Sequence, residues 1–325
     1  MAGKNADRLG MEIKMNETLQ EALNVHYIKL SFTLVLTEDT VLPVHKVSAL
    51  RGGMGEMLLR ANCIRDRKCE SCYFAPECMI QRTMYSQFEK KPRFVTTGES
   101  IGYVIECDNH RQEFAKGDTL MFHLILFGRT AVYFNLFLQA IHMLGMNGLG
   151  KHESRFQIAN ITNTDGEPVL DGLDVHMERY QVKQTRTYVE QRLKTLKGTV
   201  PAKMIFETPL TVKYNGDFLR EFHMDAIIRS VKRRIYMLDC FEGIDGEEAF
   251  DHNYLLPVIR HQEVRRRAVR RYSTRKQSAM YLNGIQGEIE LEQLEPETLG
   301  LLLAGELIHI GKNTSFGFGK YSMEC

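Results

Sequence analysis

The chain of 325 residues contains no tryptophan, so any stacking on nucleic-acid bases falls to Tyr, Phe and Arg. It also lacks an apolar run of about 18 residues, which excludes an ordinary transmembrane helix. The first 25 residues lack the apolar core of a signal peptide, so we expect a cytoplasmic protein with no membrane partner. The net charge is only +1. Any surface that binds nucleic acid must therefore be a local basic patch.

Cysteine is scarce but clustered. Cys63, Cys69, Cys72 and Cys78 follow the spacing C-x5-C-x2-C-x5-C, which in a reducing compartment favours a metal site over disulfides or unrelated buried thiols. We predict a small four-cysteine metal-binding insert at about 60–82, with structural zinc as the cofactor. An iron–sulfur cluster also uses four thiolates and is the alternative. A DNA-binding or partner-docking finger is less favoured, because no recognition helix follows the last cysteine.

A glycine-rich stretch near the C-terminus reads GELIHIGKNTSFGFGKY, residues 305–321. Glycine permits positive φ and close approach of the backbone to a ligand, and successive N–H groups can then surround an anion. The stretch matches neither the Walker nor the dinucleotide-binding pattern. It predicts contact with a phosphate or a nucleic-acid backbone, the alternative being a plain turn before a final strand. The polar residues that we expect to bind are Lys312, Asn313, Thr314 and Ser315.

Basic residues gather in a second stretch, 265–276, where seven of twelve residues are basic and none is acidic. Arginine matches phosphate oxygens with two parallel hydrogen bonds, so the stretch predicts nucleic-acid contact, although a solvated charged face is the usual origin of such runs. Arg51 and Lys151 stand beside further glycine clusters and are candidates for the same role. The predicted contacts of the basic stretch are Arg265, Arg266, Arg271 and Arg275.

The predicted elements repeat, since each half runs strand, helix, strands, helix, glycine loop, strand. This order predicts an α+β fold of two tandem ferredoxin-like (RRM-like) domains. The boundaries are a flexible N-terminal segment at 1–24, a first domain at 25–165 that holds the cysteine insert, a linker at 166–200, and a second domain at 201–325. The linker is assigned to a stretch that is rich in charge and has no apolar period.

Together these pieces resemble the CRISPR-associated endoribonucleases of the RAMP superfamily that process repeat RNA, in the subgroup with a cysteine cluster. Besides the cysteines, the segments that carry the resemblance are LRGGMGEML (50–58), GMNGLGKHESRF (145–156), IFETPLTV (205–212), RYSTRKQSAMYLNGIQGEIEL (271–291) and GELIHIGKNTSFGFGKY (305–321). The resemblance spans roughly residues 25–325. It implies CRISPR repeat RNA as the partner, together with other CRISPR effector subunits.

The resemblance further implies antiviral RNA cleavage without a metal. The 2′-hydroxyl attacks the adjacent phosphate and leaves 2′,3′-cyclic phosphate and 5′-OH ends. Such cleavage needs a proton carrier and a cation, and we predict His45 as the catalytic residue, with Lys46 or Arg51 stabilising charge. The other candidates are His152, His309 and, if no histidine acts, Tyr27 or a lysine-only mechanism. The alternative function is a non-catalytic RNA-binding RAMP subunit of a CRISPR effector complex.

Overall fold

The computed structural model describes residues 23–85, 87–88, 91–95, 100–196, 203–244, 253–273 and 278–325. Two predictions lie outside these ranges: the flexible segment at 1–24, apart from its last two residues, and the RNA contact of Arg275. Within the described ranges, no helix is both long enough and apolar enough to cross a membrane.

The first half contains nine strands: β1 (His26–Leu36), β2 (Thr40–Val41), β3 (Tyr103–Glu106), β4 (Glu113–Phe114), β5 (Thr119–Phe127), β6 (Phe156–Thr162), β7 (Pro168–Asp171), β8 (Asp174–Val175) and β9 (Lys183–Gln184). Seven of them form one antiparallel sheet with spatial order β3-β5-β1-β6-β7-β8 and β9 beside β1. Strands β2 and β4 pair separately. Its helices are α1 (Val47–Asn62), α2 (Met79–Thr83), α3 (Phe134–Asn147) and α4 (Thr185–Leu196).

The second half has a four-stranded antiparallel sheet with spatial order β13-β14-β10-β15. Its strands are β10 (Lys203–Leu210), β11 (Lys213–Tyr214), β12 (Asp217–Phe218), β13 (Val258–Ser273), β14 (Ser278–Glu292) and β15 (Tyr321–Glu324). Its helices are α5 (Met224–Glu242) and α6 (Pro296–Ile308), the latter with Pro296 at its first position, where the missing N–H costs no hydrogen bond.

Both halves have the same arrangement of their main elements. The chain order is strand, helix, two strands, helix, strand: β1-α1-β3-β5-α3-β6 in the first half and β10-α5-β13-β14-α6-β15 in the second. In each sheet the second of these strands lies at one edge, followed by the third, the first and the fourth. The predicted α+β class with antiparallel sheets is confirmed.

The two faces of the first sheet have different partners, because side chains alternate along a strand. Leu30, Phe32 and Leu34 of β1 share a core with α1 and α3. Side chains of the opposite face, among them Tyr27 and Phe127, belong to the core of the second half. The two halves therefore share a buried apolar boundary.

Helix α1 runs without interruption through three glycines that sequence alone would treat as weak points. A Cβ on Gly53 would lie 2.5 Å from Leu144 Cδ1 of α3, and one on Gly55 would lie 2.8 Å from Met84 Cε. These two glycines let the neighbouring side chains approach the helix backbone closely. Close packing therefore explains why glycine occupies these two positions.

The stretch predicted as a linker, 166–200, contains strands β7 to β9 and helix α4 within its described part. Helix α4 buries few apolar side chains, among them Val189, which explains the missing apolar period. Polar contacts hold the helix to the second half: Arg192 donates to both carboxylate oxygens of Glu306, at 2.8 and 3.1 Å, and Tyr188 donates to the same group at 3.0 Å.

Candidate nucleic-acid interface

The loop from His309 to Lys320, here called the second glycine loop, joins α6 to β15. Gly311, Gly317 and Gly319 all have positive φ, at 83°, 77° and 71°. A Cβ on Gly319 would lie 1.8 Å from the Ile310 carbonyl oxygen, and one on Gly317 would lie 2.8 Å from that of Ile105. The glycines therefore allow close approach to the protein's own backbone, and the loop rests on strand β3 of the first half.

Three consecutive amides in this loop are unused. Asn313 takes the left-handed conformation (φ 65°) and starts a 3₁₀ turn over Thr314–Phe316. Within the described part of the chain, the backbone N–H groups of Asn313, Thr314 and Ser315 donate to no acceptor. Neighbouring unpaired amides that follow a left-handed residue are a common way of binding an anion.

Two arginines meet at the ring of Phe316 in the same loop. The guanidinium carbon of Arg51, from α1, lies 4.1 Å from the ring centroid, and that of Arg271, from β13, lies 4.7 Å from it. Arg51 also donates to two hydroxyls, from Nε to Ser315 Oγ at 3.1 Å and from Nη2 to Ser100 Oγ at 2.9 Å. We call Arg51, Phe316 and Arg271 the arginine clamp.

The clamp carries two positive charges without a carboxylate. Among the described residues, neither arginine forms an ion pair, and the buried Nε of Arg271 has no hydrogen-bond partner. Burial lowers the pKa of Arg271, and the charge of Arg51 lowers it further. Two neighbouring cations destabilise each other unless an anion joins them. This chemistry suits a phosphate group.

A pair of histidines lies just before α1. His45 is exposed, and its ring makes an edge contact with that of His110, the centroids 5.5 Å apart. Partial burial lowers the pKa of His45, as do the charges of His110, Lys46 and Arg267, in that order. Two imidazole groups therefore lie side by side before α1.

Lys46 has a different environment from His45. Its side chain is fully buried, and Nζ donates to the carbonyl oxygens of Asn109 and Arg111 at 2.8 and 2.6 Å. The ammonium also lies 5.5 Å from the centroid of Phe114. Lys46 thereby holds the turn that carries His110 against the start of α1, and most of its donors are already used.

The β13–β14 hairpin brings cations of the second half to α1. Side chains of β13 alternate between two faces, and Arg267, Val269 and Arg271 share one of them. Val269 is buried, Arg271 belongs to the arginine clamp, and the charge of Arg267 acts on His45. This face of the hairpin lies along the first helix, and it is what joins the histidine pair to the clamp.

Other predicted contacts lie elsewhere. Lys312 is exposed, 5.8 Å from the ring centroid of Phe218, and lines a cleft of about 1060 Å³ beside α5, apart from the arginine clamp. Arg266 is on the opposite face of β13 from Arg271, and Arg265 is exposed near Glu263 at 3.6 Å. Lys151 is exposed on the loop after α3.

The remaining candidates for proton transfer, two histidines and a tyrosine, lie in different environments. His309 is fully buried, with Nε2 2.8 Å from Glu106 Oε1 and Nδ1 3.1 Å from the Phe318 carbonyl oxygen. His152 is exposed beside Lys151. Tyr27 is buried, and its pKa is raised mainly by that burial. Of the candidates, His45 has the environment best suited to proton transfer.

The four cysteines of the insert all line one small cavity of about 190 Å³. In the described ranges, no three or more His, Cys, Asp or Glu side chains lie close enough together to hold a metal ion. The donor chemistry of this cavity is nevertheless that of a thiolate metal site.

His110 and Arg267 are the residues that sequence reasoning missed. His110 stands in a polar run, DNHRQE, directly after β3, and nothing in that run distinguishes it from the other histidines. Arg267 belongs to the basic stretch, but its side of the strand could be assigned only once the register of β13 was known.

Two family models match successive parts of the chain. One, described as an N-terminal domain, matches residues 23–185, and that of the CRISPR-associated endoribonuclease Cas6 matches residues 204–321. No curated protein matches the chain in sequence.

Solved structures share its fold. A chain of a partial Cas6-RT-Cas1–Cas2 complex aligns with 93% of this chain at a TM-score of 0.58 and 15% identity. This chain covers 47% of that one, about half its length. A product complex of Cas6 from Thermus thermophilus aligns with 91% of this chain and 98% of its own, at a TM-score of 0.50 and 16% identity. Residues 204–321 thus match the model of the CRISPR-associated endoribonuclease Cas6, and nearly the whole chain shares the fold of solved Cas6 structures.

Proposed function

We propose that this protein cuts CRISPR repeat RNA by attack of a 2′-hydroxyl on the adjacent phosphate, giving a 2′,3′-cyclic phosphate and a 5′-OH end. Two ferredoxin-like domains hold the RNA between them. The observation that carries the proposal is the arginine clamp, two cations that form no ion pair within the described residues, close to the start of α1, where His45 lies beside His110. His45 lies two residues before α1, and Arg51 lies in the second turn of that helix.

In this mechanism His45 is the general base and His110 the general acid. The lowered pKa of His45 keeps its ring neutral near pH 7, where it can accept the 2′-OH proton. The new bond joins O2′ to phosphorus while the bond from phosphorus to O5′ breaks. His110 gives its proton to the departing O5′.

The charge that develops on the phosphate needs a nearby cation. Arg267, whose charge acts on His45, fits this role better than Lys46, whose ammonium is held by two carbonyl groups. Arg51 and Arg271 then grip a neighbouring phosphate, and the free amides of the second glycine loop offer a further anion contact. No metal takes part in cleavage.

The first experiment uses purified protein and a repeat RNA from a CRISPR array, in EDTA. We expect cleavage that leaves a 2′,3′-cyclic phosphate, and none when the nucleotide at the cut carries 2′-deoxyribose. Intact RNA that is bound tightly at every pH would instead identify a non-cutting RNA-binding subunit. That result would overturn the proposal.

A second experiment assigns the two histidines. We expect His45→Ala and His110→Ala each to slow single-turnover cleavage about 10²–10⁴-fold, with RNA affinity within a few fold. His152→Ala, an exposed histidine on another loop, is the matched control and should cut at the parent rate. With sulfur in place of O5′ the leaving group needs no proton, so this substrate should restore the rate of His110→Ala but not of His45→Ala. Restoration of the opposite variant would reverse the roles.

The pH profile gives an independent test of the base. Because the pKa of His45 lies below its usual value near 6.5, the rate should rise with pH through a midpoint below that value. Arg267→Gln removes one of the positive charges that lower this pKa. Its midpoint should move upward, toward 6.5. An unmoved midpoint in this variant would show that the charge of Arg267 does not act on His45.

A further inference from the structure

The insert between α1 and α2 has almost no hydrophobic interior. From Cys63 to Met79 no side chain is buried, and the two short 3₁₀ turns, Cys69–Ser71 and Ala75–Glu77, contain no buried residue. The four cysteines and Ala75 are partly buried, and every other side chain in this stretch is exposed. Tyr73 and Phe74, which could have formed a core, are 89% and 53% exposed. Apolar burial therefore cannot hold this segment in shape.

The four cysteine side chains line the interior of the insert. Cys63, Cys69, Cys72 and Cys78 line the same cavity of about 190 Å³, and all four are free thiols. The cavity opens between the C-terminus of α1, where Cys63 is the C-cap, and the N-terminus of α2, where Cys78 is the N-cap. Cys69 and Cys72 flank the turn between them.

One backbone amide already points at a sulfur. The N–H of Arg67 donates to Cys63 Sγ at 3.2 Å. Asp66 and Arg67 both take positive φ, 48° and 65°, in the loop before Cys69, an unusual conformation for residues other than glycine. This turn therefore brings the backbone of the loop onto the sulfur of Cys63 before the chain reaches Cys69.

We propose that these four cysteines bind one zinc ion, and that this ion takes the place of a hydrophobic core in the insert. A four-coordinate zinc–thiolate site has bonds of about 2.3 Å, so binding draws the four sulfurs together across the cavity. Zinc suits this open site better than an iron–sulfur cluster, because a redox-inert ion needs no apolar shell to shield it. The ion joins the end of α1 to the start of α2 and has no part in RNA cleavage.

Metal content tests the proposal directly. We expect the purified full-length protein to contain one zinc per chain, with none of the visible absorbance of an iron–sulfur cluster. Replacement of zinc by cobalt should give the ligand-field bands of a tetrahedral thiolate site. A Cys69→Ser, Cys72→Ser double variant should lose the metal, whereas the matched control Cys325→Ser, an exposed cysteine far along the chain, should keep it.

Hydrogen exchange then tests the role of the ion. In the double variant the amides of residues 59–83 should exchange faster, while those of β1 and β5 should keep their protection. Absence of metal, a disulfide between Cys69 and Cys72, or iron in place of zinc would each overturn the proposal. These readouts do not depend on whether the protein cuts RNA.

Discussion

Each half of the molecule places a glycine-rich loop after its second main helix, and the two loops have become different structures. The first glycine loop, residues 148–155, closes on itself through a bridge between Leu149 and Ser154 and leaves Lys151 and His152 in solvent. The second, His309–Lys320, is packed against the first half. Thr314 and Ser315 are buried there, and Ser315 accepts a hydrogen bond from Arg51.

The difference shows that equivalent positions in a repeated topology need not share a role. Both loops contain glycines, a lysine and a histidine, which is why the sequence makes them look alike. Among the described residues, the first loop bonds within the first half, whereas the second loop packs against the other half and carries Phe316 to the arginine clamp.

The largest contrast concerns glycine. Gly319→Ala places a Cβ 1.8 Å from the Ile310 carbonyl oxygen at φ 71°, and we expect it to lower the free energy of unfolding by about 4 kcal/mol. At Gly150, φ is 75° but the nearest atom, Pro43 Cδ, is 3.9 Å away. Gly150→Ala should therefore cost about 1 kcal/mol, for the backbone conformation alone. Urea unfolding measures both, and equal losses would contradict the comparison.

The second contrast concerns histidine. His309→Ala removes a buried partner of Glu106 and should lower the free energy of unfolding by about 3 kcal/mol. His152→Ala, in solvent, should change it by less than about 0.5 kcal/mol.

The same pair of variants makes a pH prediction. Burial alone would raise the pKa of Glu106, but the hydrogen bond from His309 and the charge of Lys29 outweigh burial and hold this pKa well below the usual value of 4.5. The stabilisation is therefore complete above about pH 4.5 and is lost as the pH falls below it. Between pH 7 and pH 4, His309→Ala should lose less stability than the parent. An equal loss would show that the pair is not the source.

The third contrast concerns RNA. Arg51→Ala should weaken RNA binding about tenfold, or about 1.4 kcal/mol, and lower the salt slope by about 0.7 for each phosphate that the variant no longer neutralises. Lys151→Ala should weaken binding about twofold, since a flexible exposed lysine gives a weak contact. Arg51→Lys keeps the charge but loses the flat contact with Phe316, so its affinity should be intermediate. A larger effect of Lys151→Ala would mean that the RNA follows the first loop.

The smallest contrast concerns serine. Ser315→Ala removes the acceptor for Arg51 Nε and should weaken RNA binding about threefold, within the usual range of about 0.5–1.5 kcal/mol for one hydrogen bond. In the first glycine loop, Ser154→Ala removes a buried hydroxyl that forms a hydrogen bond with the hydroxyl of Thr40 in β2. It should cost a similar amount of folding stability and leave RNA affinity unchanged. If Ser154→Ala also changed RNA affinity, the effect of Ser315→Ala could not be assigned to its hydrogen bond with Arg51.

The repeated order of elements was readable from sequence, because both halves alternate apolar strands with amphipathic helices at similar spacing. Helix α4 was not, since it is held to the second half by Arg192 and Glu306 rather than by an apolar stripe. Sequence patterns register apolar period well and long-range ion pairs poorly.

The candidate site was partly readable. His45, Arg51, Arg271 and Ser315 were chosen from local context, and the structure brings the last three together around Phe316. Lys46 was chosen for its position beside His45, but its ammonium turns inward to two carbonyl groups. His110 could not be found, because 65 positions separate it from His45 and only the fold makes them neighbours.

The long hairpin of the second half has a genetic consequence. His45 and Arg51 come from one half of the chain, whereas Arg267, Arg271 and Phe316 come from the other. Neither half alone therefore contains all the residues of the proposed site. Two fragments expressed from separate genes would each be silent and would complement one another only by reassembling along the shared apolar boundary. A chain inactivated by a mutation in one half would then regain activity when a separate fragment supplies an intact copy of that half.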